Sequence, residues 1–277
     1  MKRLIPIVLI ALISKVSALT IVTTFPSLAN DVKLIAPNDT IYYIPAYSHD
    51  YQLTSKDVEM LKRADVIVST AHTHFEKKIE EMVEKGEIRA KLIEIPKIRG
   101  IRLLNYPGTN RINYHMPIYD PHNYEVFLNY LARVLEELNP NGSYVENAKR
   151  VCIEVEEVVD NVRYNGTALV DYPYGQYAVS WTGLKVVGVV FNTPTTPEKF
   201  KEVDYLVLTR NSERSEALME NVPHRYVIYI DSPFSNRTIL QKLKDMKVVK
   251  SSKTPGFEAL TCILAVSLWL LRSGFSR

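Results

Sequence analysis

The chain has 277 residues, of which 46% are hydrophobic and 23% are charged, a composition that is ordinary for a globular protein. Its length allows two lobes or one large domain. The formal net charge is only +3 and no long run of like charge occurs, so the clustered basic face that nucleic acid requires is not indicated.

The first eighteen residues have the pattern of a signal peptide. Lys2 and Arg3 precede an apolar run, residues 4–13, and residues 16–18 form a small-residue cleavage site. A buried first strand or a membrane anchor is the alternative, but the apolar run is too short to span a bilayer. We therefore expect an exported protein, in the periplasm or at the cell surface, with its attachment left open.

Short β-rich apolar runs then alternate with helical patterns. Strands are predicted at residues 19–24, 40–44, 66–69 and 91–95. Helices are predicted between them at residues 27–35, 54–64 and 75–85. This alternation is typical of βαβ units on a parallel sheet.

Two long helices are predicted in the middle of the chain. The first covers residues 123–138, and the second runs from a capping-box pattern of Ser143 and Glu146 to about Val162. The second carries one apolar stripe of valines, which is typical of a core helix. Because it lies between two βα blocks, it is also a candidate for a spine that joins two lobes.

The alternation resumes in the second half of the chain. Strands are predicted at residues 167–170, 184–191, 205–209 and 225–230, and helices include residues 212–220 and 236–246. A last helix, residues 258–271, is apolar nearly all round. We interpret it as a buried packing helix rather than a membrane anchor, because its apolar stretch is shorter than a span usually needs.

The predicted fold is α/β, with two lobes that each have a mainly parallel sheet flanked by helices. A long spine helix joins the lobes, and a cleft lies between them. The predicted divisions are a signal peptide (1–18), an N-terminal lobe (19–138), the spine (139–163) and a C-terminal lobe (164–277). Cys152 and Cys262 fall on apolar helical positions and form either a disulfide or two buried thiols.

Four side chains stand where a ligand of such a fold binds. His49 follows the second strand, and His115 lies in the loop before the first long helix. Asp171 and Asp231 each stand at the carboxyl end of a strand in the second half, beside the crevice where open α/β sheets bind ligands. Two imidazoles and two carboxylates suit a divalent transition-metal ion. Taken singly, each residue is more often solvated or hydrogen-bonded than a ligand, so the pattern alone leaves a metal site open.

Two further histidines, His72 and His74, follow the third predicted strand. In an extended chain, residues two apart point to the same side. The pair is therefore a candidate accessory site that holds or relays an ion at the mouth of the cleft. A solvated loop is the alternative.

Several segments carry a family resemblance. They are residues 21–29 (IVTTFPSLA), 48–57 (SHDYQLTSKD), 115–121 (HMPIYDP) and 230–233 (IDSP). Their order resembles that of the metal-specific solute-binding receptors of ABC importers, the zinc and manganese uptake class. The likeness covers most of the mature chain and is more specific in its first half.

The resemblance implies roles for the four candidate residues. His49 and His115 match the two histidine ligands of the first lobe, and Asp231 matches the carboxylate ligand of the second. Asp171 falls where the family has histidine or glutamate. An aspartate there makes the site richer in oxygen and tilts it modestly from zinc toward manganese or iron. The metal therefore stays open among Zn²⁺, Mn²⁺ and Fe²⁺.

The resemblance also implies a function. The protein is expected to be a monomeric extracytoplasmic receptor, not an enzyme, that captures one divalent ion and delivers it to the membrane permease of an ABC importer. Four protein donors favour capture over catalysis, because a catalytic zinc normally keeps an open position. One alternative is a receptor of the same architecture for an organic or chelated-metal ligand, in which Asp171 reports loss of the metal site. A metal-dependent hydrolase is the other.

Overall fold

The computed structural model describes residues 18–48, 50–191 and 202–251. The first sheet has four strands, and their bounds are β1 Thr20–Thr23, β2 Thr40–Tyr43, β3 Val66–Ser69 and β4 Lys91–Glu94. All neighbours are parallel, in the order β2-β1-β3-β4. The central strand β3 is buried along its whole length, as its unbroken apolar run requires.

Three helices flank this sheet: α1 Pro26–Ile35, α2 Ser55–Lys62 and α3 His74–Glu84. Thr54 begins α2 with a capping box to Asp57, and Thr73 begins α3 with a capping box to Glu76. In each box the hydroxyl and the carboxylate satisfy backbone N–H groups that the first turn leaves without partners. These caps fix where the loop after β3 ends and α3 begins.

A short ribbon and two 3₁₀ turns connect the first sheet to the long helices. The ribbon pairs β5 Leu104–Asn105 with β6 Ile112–Asn113 in antiparallel register. The turns cover Ile95–Lys97 and Pro117–Tyr119.

The two long helices are α4 Pro121–Leu138 and α5 Tyr144–Asp160, and they pack against each other. Helix α5 also contacts α1 on one side and, in the second lobe, a helix that begins at Ile239. The capping box predicted at Ser143 is wrong, because Ser143 has a left-handed backbone (φ 56°) and its side chain caps nothing. The backbone N–H of Tyr144 donates instead to the carboxylate of Glu136 at 3.2 Å.

The second sheet has five strands, with bounds β7 Thr167–Val170, β8 Lys185–Val189, β9 Val203–Thr209, β10 His224–Ile230 and β11 Lys247–Lys250. Their order is β11-β10-β9-β7-β8, and only the edge strand β11 is antiparallel to its neighbour. Its helices are α6 Pro173–Val179, α7 Glu213–Asn221 and α8 Ile239–Lys244. The sequence patterns did not predict α6, since all its residues are buried and no polar face marks a helical period.

The predicted two-lobe α/β architecture with mainly parallel sheets is confirmed. The exact domain boundaries stay a prediction, although α5 contacts helices of both lobes as a spine would. Most of the predicted signal peptide (1–17), the apolar helix 258–271 and Cys262 lie outside the described residues, so the disulfide also stays a prediction. In the described part of the chain, no helix is long and apolar enough to cross a membrane.

Candidate metal-binding cleft

The carboxyl ends of strands from both sheets open onto one cleft of about 1060 Å³. Phe25 and His72, which follow β1 and β3, line it from the first lobe. Tyr172, Phe191 and Arg210, which follow β7, β8 and β9, line it from the second. Strand ends of two α/β lobes therefore meet where the topology predicts a ligand.

Two imidazoles lie side by side on the wall of this cleft. The rings of His72 and His115 have centroids 5.4 Å apart and an interplanar angle of 63°. Nδ1 of His72 lies 2.7 Å from the hydroxyl of Thr70, and Nδ1 of His115 lies 3.1 Å from Oδ1 of Asn113 and 3.1 Å from the hydroxyl of Tyr106. Metal-binding histidines are usually oriented in this way, through an oxygen partner on the second ring nitrogen. Nδ1 of each ring is thus engaged by an oxygen partner.

Behind His72, the buried carboxylate of Glu76 organises the loop after β3. It accepts hydrogen bonds from the backbone N–H groups of Thr70, His72 and Thr73, at 2.7, 3.1 and 3.1 Å. The hydroxyl of Thr24 donates to it at 2.6 Å. Burial alone would raise the pKa of Glu76, but the facing His72 and these hydrogen bonds bring the pKa below its usual value. The Thr-x-x-Glu spacing at residues 73–76 was the sequence signal for this role, and our sequence analysis missed it.

Asn113 plays a corresponding role for His115. Its Oδ1 accepts from the backbone N–H of His115 at 3.0 Å and also faces the imidazole. Its Nδ2 donates to the carbonyl of Pro173 at 2.8 Å and to Oε1 of Gln176 at 3.0 Å, both on α6. Asn113 is fully buried, so one side chain fixes His115 and connects its loop to the second lobe.

Backbone strain is concentrated at the same place. Four residues other than glycine in the described ranges have positive φ, namely Ala71, Met116, Ser143 and Asn211. Ala71 precedes His72, while Met116 follows His115 and lines the cleft together with Asn211. Left-handed conformations are unfavourable for residues with a Cβ and persist where the surrounding structure imposes them, often at binding sites.

The two predicted carboxylates are engaged within the second lobe. Asp171 is fully buried, and its oxygens accept from the backbone N–H groups of Tyr172 (2.7 Å) and Thr209 (2.5 Å) and from the hydroxyl of Ser215 (2.8 Å). Burial raises the pKa of the Asp171 carboxyl above its usual value.

Asp231, at the end of β10, is paired with two arginines. Its oxygens lie 3.1 Å from Nε of Arg210 and 2.7 Å from a terminal nitrogen of Arg237, and its side chain is 11% exposed. Its backbone carbonyl accepts from the buried hydroxyl of Tyr119. Neither Asp171 nor Asp231 lines the cleft in the described part of the chain, whereas both imidazoles do.

The remaining candidate histidines are His49 and His74. His49 lies outside the described residues. His74 is exposed at the start of α3 and does not line the cleft, whereas His72 does, so the accessory pair of His72 and His74 stays a prediction. Within residues 18–48, 50–191 and 202–251, no three His, Cys, Asp or Glu side chains are grouped closely enough to hold a metal ion. The four-ligand set of His49, His115, Asp171 and Asp231 therefore stays a prediction.

Comparison with solved structures shows the same fold. FpvC from Pseudomonas aeruginosa in complex with Mn²⁺ superposes with a TM-score of 0.66 at 19% identity, over 82% of this chain and 94% of that one. TroA, the periplasmic zinc-binding protein of Treponema pallidum, gives 0.61 at 16% identity over 82% and 96%. A zinc-bound deletion mutant of ZnuA gives 0.61 at 18% over 82% and 95%.

A comparison with curated protein sequences gives no match. The family model described as "Zinc-uptake complex component A periplasmic" matches residues 21–212, which is more than half of the chain. Members of this family are zinc- and manganese-binding periplasmic receptors, not enzymes. The chain therefore belongs to the family of periplasmic zinc-uptake components, the metal-binding solute receptors.

Proposed function

We propose that this protein is an exported receptor that captures one divalent transition-metal ion, Zn²⁺ or Mn²⁺, and delivers it to the permease of an ABC importer. The observation that carries the proposal is the pair of imidazoles, His72 and His115, held 5.4 Å apart on the wall of the cleft between the two lobes. Neutral imidazole is a good ligand for zinc and for other first-row metals. Fe²⁺ is a further candidate cargo.

His115 is the proposed ligand with the strongest structural support. Its imidazole lines the cleft, and Asn113 and Tyr106 orient it through Nδ1. His72 lines the same wall, so we extend the predicted set by promoting it from an accessory residue to a ligand. His49, which follows β2 in the sequence, supplies a third imidazole in this proposal.

The carboxylates Asp171 and Asp231 complete the predicted shell. For Asp231 to bind an ion, it must separate from Arg210 and Arg237, because a carboxylate held by two cations has lost most of its attraction for a third. For Asp171, three hydrogen bonds must break. Rearrangement of side chains within the second lobe is therefore part of the four-ligand proposal.

Isothermal titration of protein purified without an affinity tag tests the proposal. Saturable binding of one equivalent of Zn²⁺, Mn²⁺ or Fe²⁺ is expected, and a hundredfold excess over Kd should stabilise the fold by about 2.7 kcal/mol. His115→Ala and His72→Ala should each weaken metal binding by about 100-fold or more. Removing the supporting partner of a ligand lowers metal affinity about 10- to 100-fold, and removing the ligand itself should lower it further. His74→Ala is the matched control, because His74 is exposed only two residues from His72. Absence of saturable binding for all three ions would overturn the proposal.

The carboxylate roles and the delivery step have separate tests. Asp231→Asn and Asp171→Asn should weaken metal binding only if these side chains leave their present partners to bind the ion. For delivery, metal-loaded protein should stimulate the ATPase activity of its partner importer reconstituted in vesicles, whereas the His115→Ala variant should not.

A further inference from the structure

We propose that the metal enters this cleft as a chelate, carried by a small, planar, anionic chelator that stacks on aromatic residues of the second lobe and pairs with Arg214. His72 and His115 complete the coordination of the ion. This inference rests on the proposed metal-receptor function and names the chemical class of its cargo.

The size of the cleft is the first argument. Zinc is held by protein ligands at about 2.0–2.3 Å, so a bare ion needs a cavity only a few ångströms across. The cleft encloses about 1060 Å³, which is at the upper end of the range for small-molecule sites. An ion that brings an organic ligand uses this space, whereas a bare ion leaves most of it to water.

The second argument is the aromatic wall opposite the imidazoles. Tyr172 stacks on Tyr174 with centroids 5.5 Å apart and an interplanar angle of 6°, and Phe191 lies 5.2 Å from Tyr172. The guanidinium of Arg214 lies 4.9 Å from the ring centre of Phe191 and 5.3 Å from that of Tyr172. Rings next to a planar cation form a surface that suits a flat anionic ligand, by stacking and by charge-assisted hydrogen bonds.

Charge is the third argument. In the described parts of the chain, Arg214 makes no ion pair with a carboxylate, and it is half-buried in the cleft wall. Asp231 is already paired with two arginines, and Asp171 does not line the cleft. Glu213 does line it, but this side chain is exposed. The second lobe thus presents cations where a bare divalent ion would need anionic oxygens, and a chelator supplies those oxygens itself.

Contacts also connect the imidazoles with residues of the second lobe. Phe25 stacks on His72 at 6.0 Å and lies 5.9 Å from Phe234 on the far side of the cleft. Asn113 joins His115 to Pro173, the neighbour of Tyr172. Because the two histidines and the wall residues line the same cleft, one ligand of drug-like size can contact both.

A defined pair of zinc chelates tests the inference. Pyridine-2,6-dicarboxylate (dipicolinate) binds Zn²⁺ through one nitrogen and two carboxylates, and a 1:1 complex leaves positions for two imidazoles. Iminodiacetate offers the same donor set without an aromatic ring, so it is the matched control ligand. Each complex is titrated into the full-length protein, and retention of the chelator is measured by its co-elution with protein in gel filtration.

We expect the protein to retain zinc and dipicolinate together, at one equivalent each, and to retain iminodiacetate about 2- to 10-fold less well. Arg214→Gln should weaken retention of dipicolinate by about 10- to 100-fold, the effect of losing a hydrogen bond to a charged group, and leave the affinity for Zn²⁺ alone within about twofold. Arg150→Gln, at an exposed position of α5, should change neither.

Two outcomes count against the proposal in different ways. If dipicolinate only competes with the protein for zinc and is never retained, the chelate inference is overturned while the receptor function stands. If neither Zn²⁺ nor its chelates bind, the receptor function itself fails and takes the inference with it.

Discussion

Replacing Glu76 with glutamine tests whether a buried carboxylate positions the candidate ligand His72. Oε1 of Glu76 accepts from the backbone N–H of Thr70, and Oε2 accepts from those of His72 and Thr73. Glutamine has the same shape but only one oxygen. Its amide group must therefore face at least one backbone N–H, whichever way the side chain is turned.

The orientation with the smaller loss places the amide at the position of Oε1. The hydroxyls of Thr24 and Ser69 can rotate there to accept from it, but the N–H of Thr70 loses its acceptor at 2.7 Å and keeps only the Thr24 hydroxyl at 3.4 Å. Losing the short hydrogen bond of a buried N–H costs about 1–3 kcal/mol, and losing the charge on the remaining bonds adds about 1 kcal/mol. We therefore expect Glu76→Gln to lower the free energy of unfolding by about 2–4 kcal/mol.

Urea denaturation followed by circular dichroism measures this loss, and titration calorimetry with Zn²⁺ measures its effect on binding. Affinity should fall by about 10- to 100-fold, because the loop that holds His72 loses its anchor. Glu81→Gln, an exposed position on the same helix, is the control and should change unfolding by less than about 0.5 kcal/mol. A Glu76→Gln variant as stable as the control, with full metal affinity, would refute this role.

Three further predictions concern strain, pH and support of His115. Ala71→Gly should raise stability in urea denaturation by about 0.5–1 kcal/mol, because φ at this position is +54° and glycine adopts it without a Cβ clash. Burial raises the pKa of Asp31 from 3.8 to about 6. The protonated Asp31 therefore stabilises the fold fully below about pH 4, and this contribution declines by on the order of 3 kcal/mol as pH rises to about 6. Asp31→Asn should remove this decline when the free energy of unfolding is measured from pH 4 to 7. Asn113→Ala should reduce metal affinity about 10- to 100-fold by calorimetry, since His115 then loses one of its two Nδ1 partners and the acceptor of its backbone N–H.

The architecture was predictable because its buried strands are short apolar runs separated by amphipathic helices. Strand β3 occupies the predicted residues 66–69, and β7 the predicted residues 167–170. The failures have local causes. Helix α6 is buried on all sides and lacks a periodic polar face, and Ser143 takes a left-handed conformation that excludes the capping geometry.

The candidate site was only partly predictable, because its contacts are set by tertiary structure. The sequence marked His115 and suggested His72, but their 5.4 Å separation depends on how β3 and the ribbon before α4 are placed. The arginine partners of Asp231 lie just after β9 and after β10, and no local pattern reveals that they pair with the carboxylate. A strand-end position therefore identified the right region of the molecule without showing which atoms are available there.

The side chains on the two sides of the cleft are preorganised for ligand binding to different degrees. This difference affects how the receptor selects its cargo. His72 and His115 are already oriented through Thr70 and Asn113, so binding an ion to them requires little ordering of side chains. On the second lobe, Asp231 must exchange two ion pairs before it can bind a metal, whereas Arg214 and its aromatic neighbours can accept an anionic ligand as they stand. Changes to the supports of the histidines should therefore weaken every cargo alike, while changes to Arg214 should discriminate between a bare ion and a chelate. Specificity in this receptor is accordingly expected to depend on the second lobe, and metal affinity on the first.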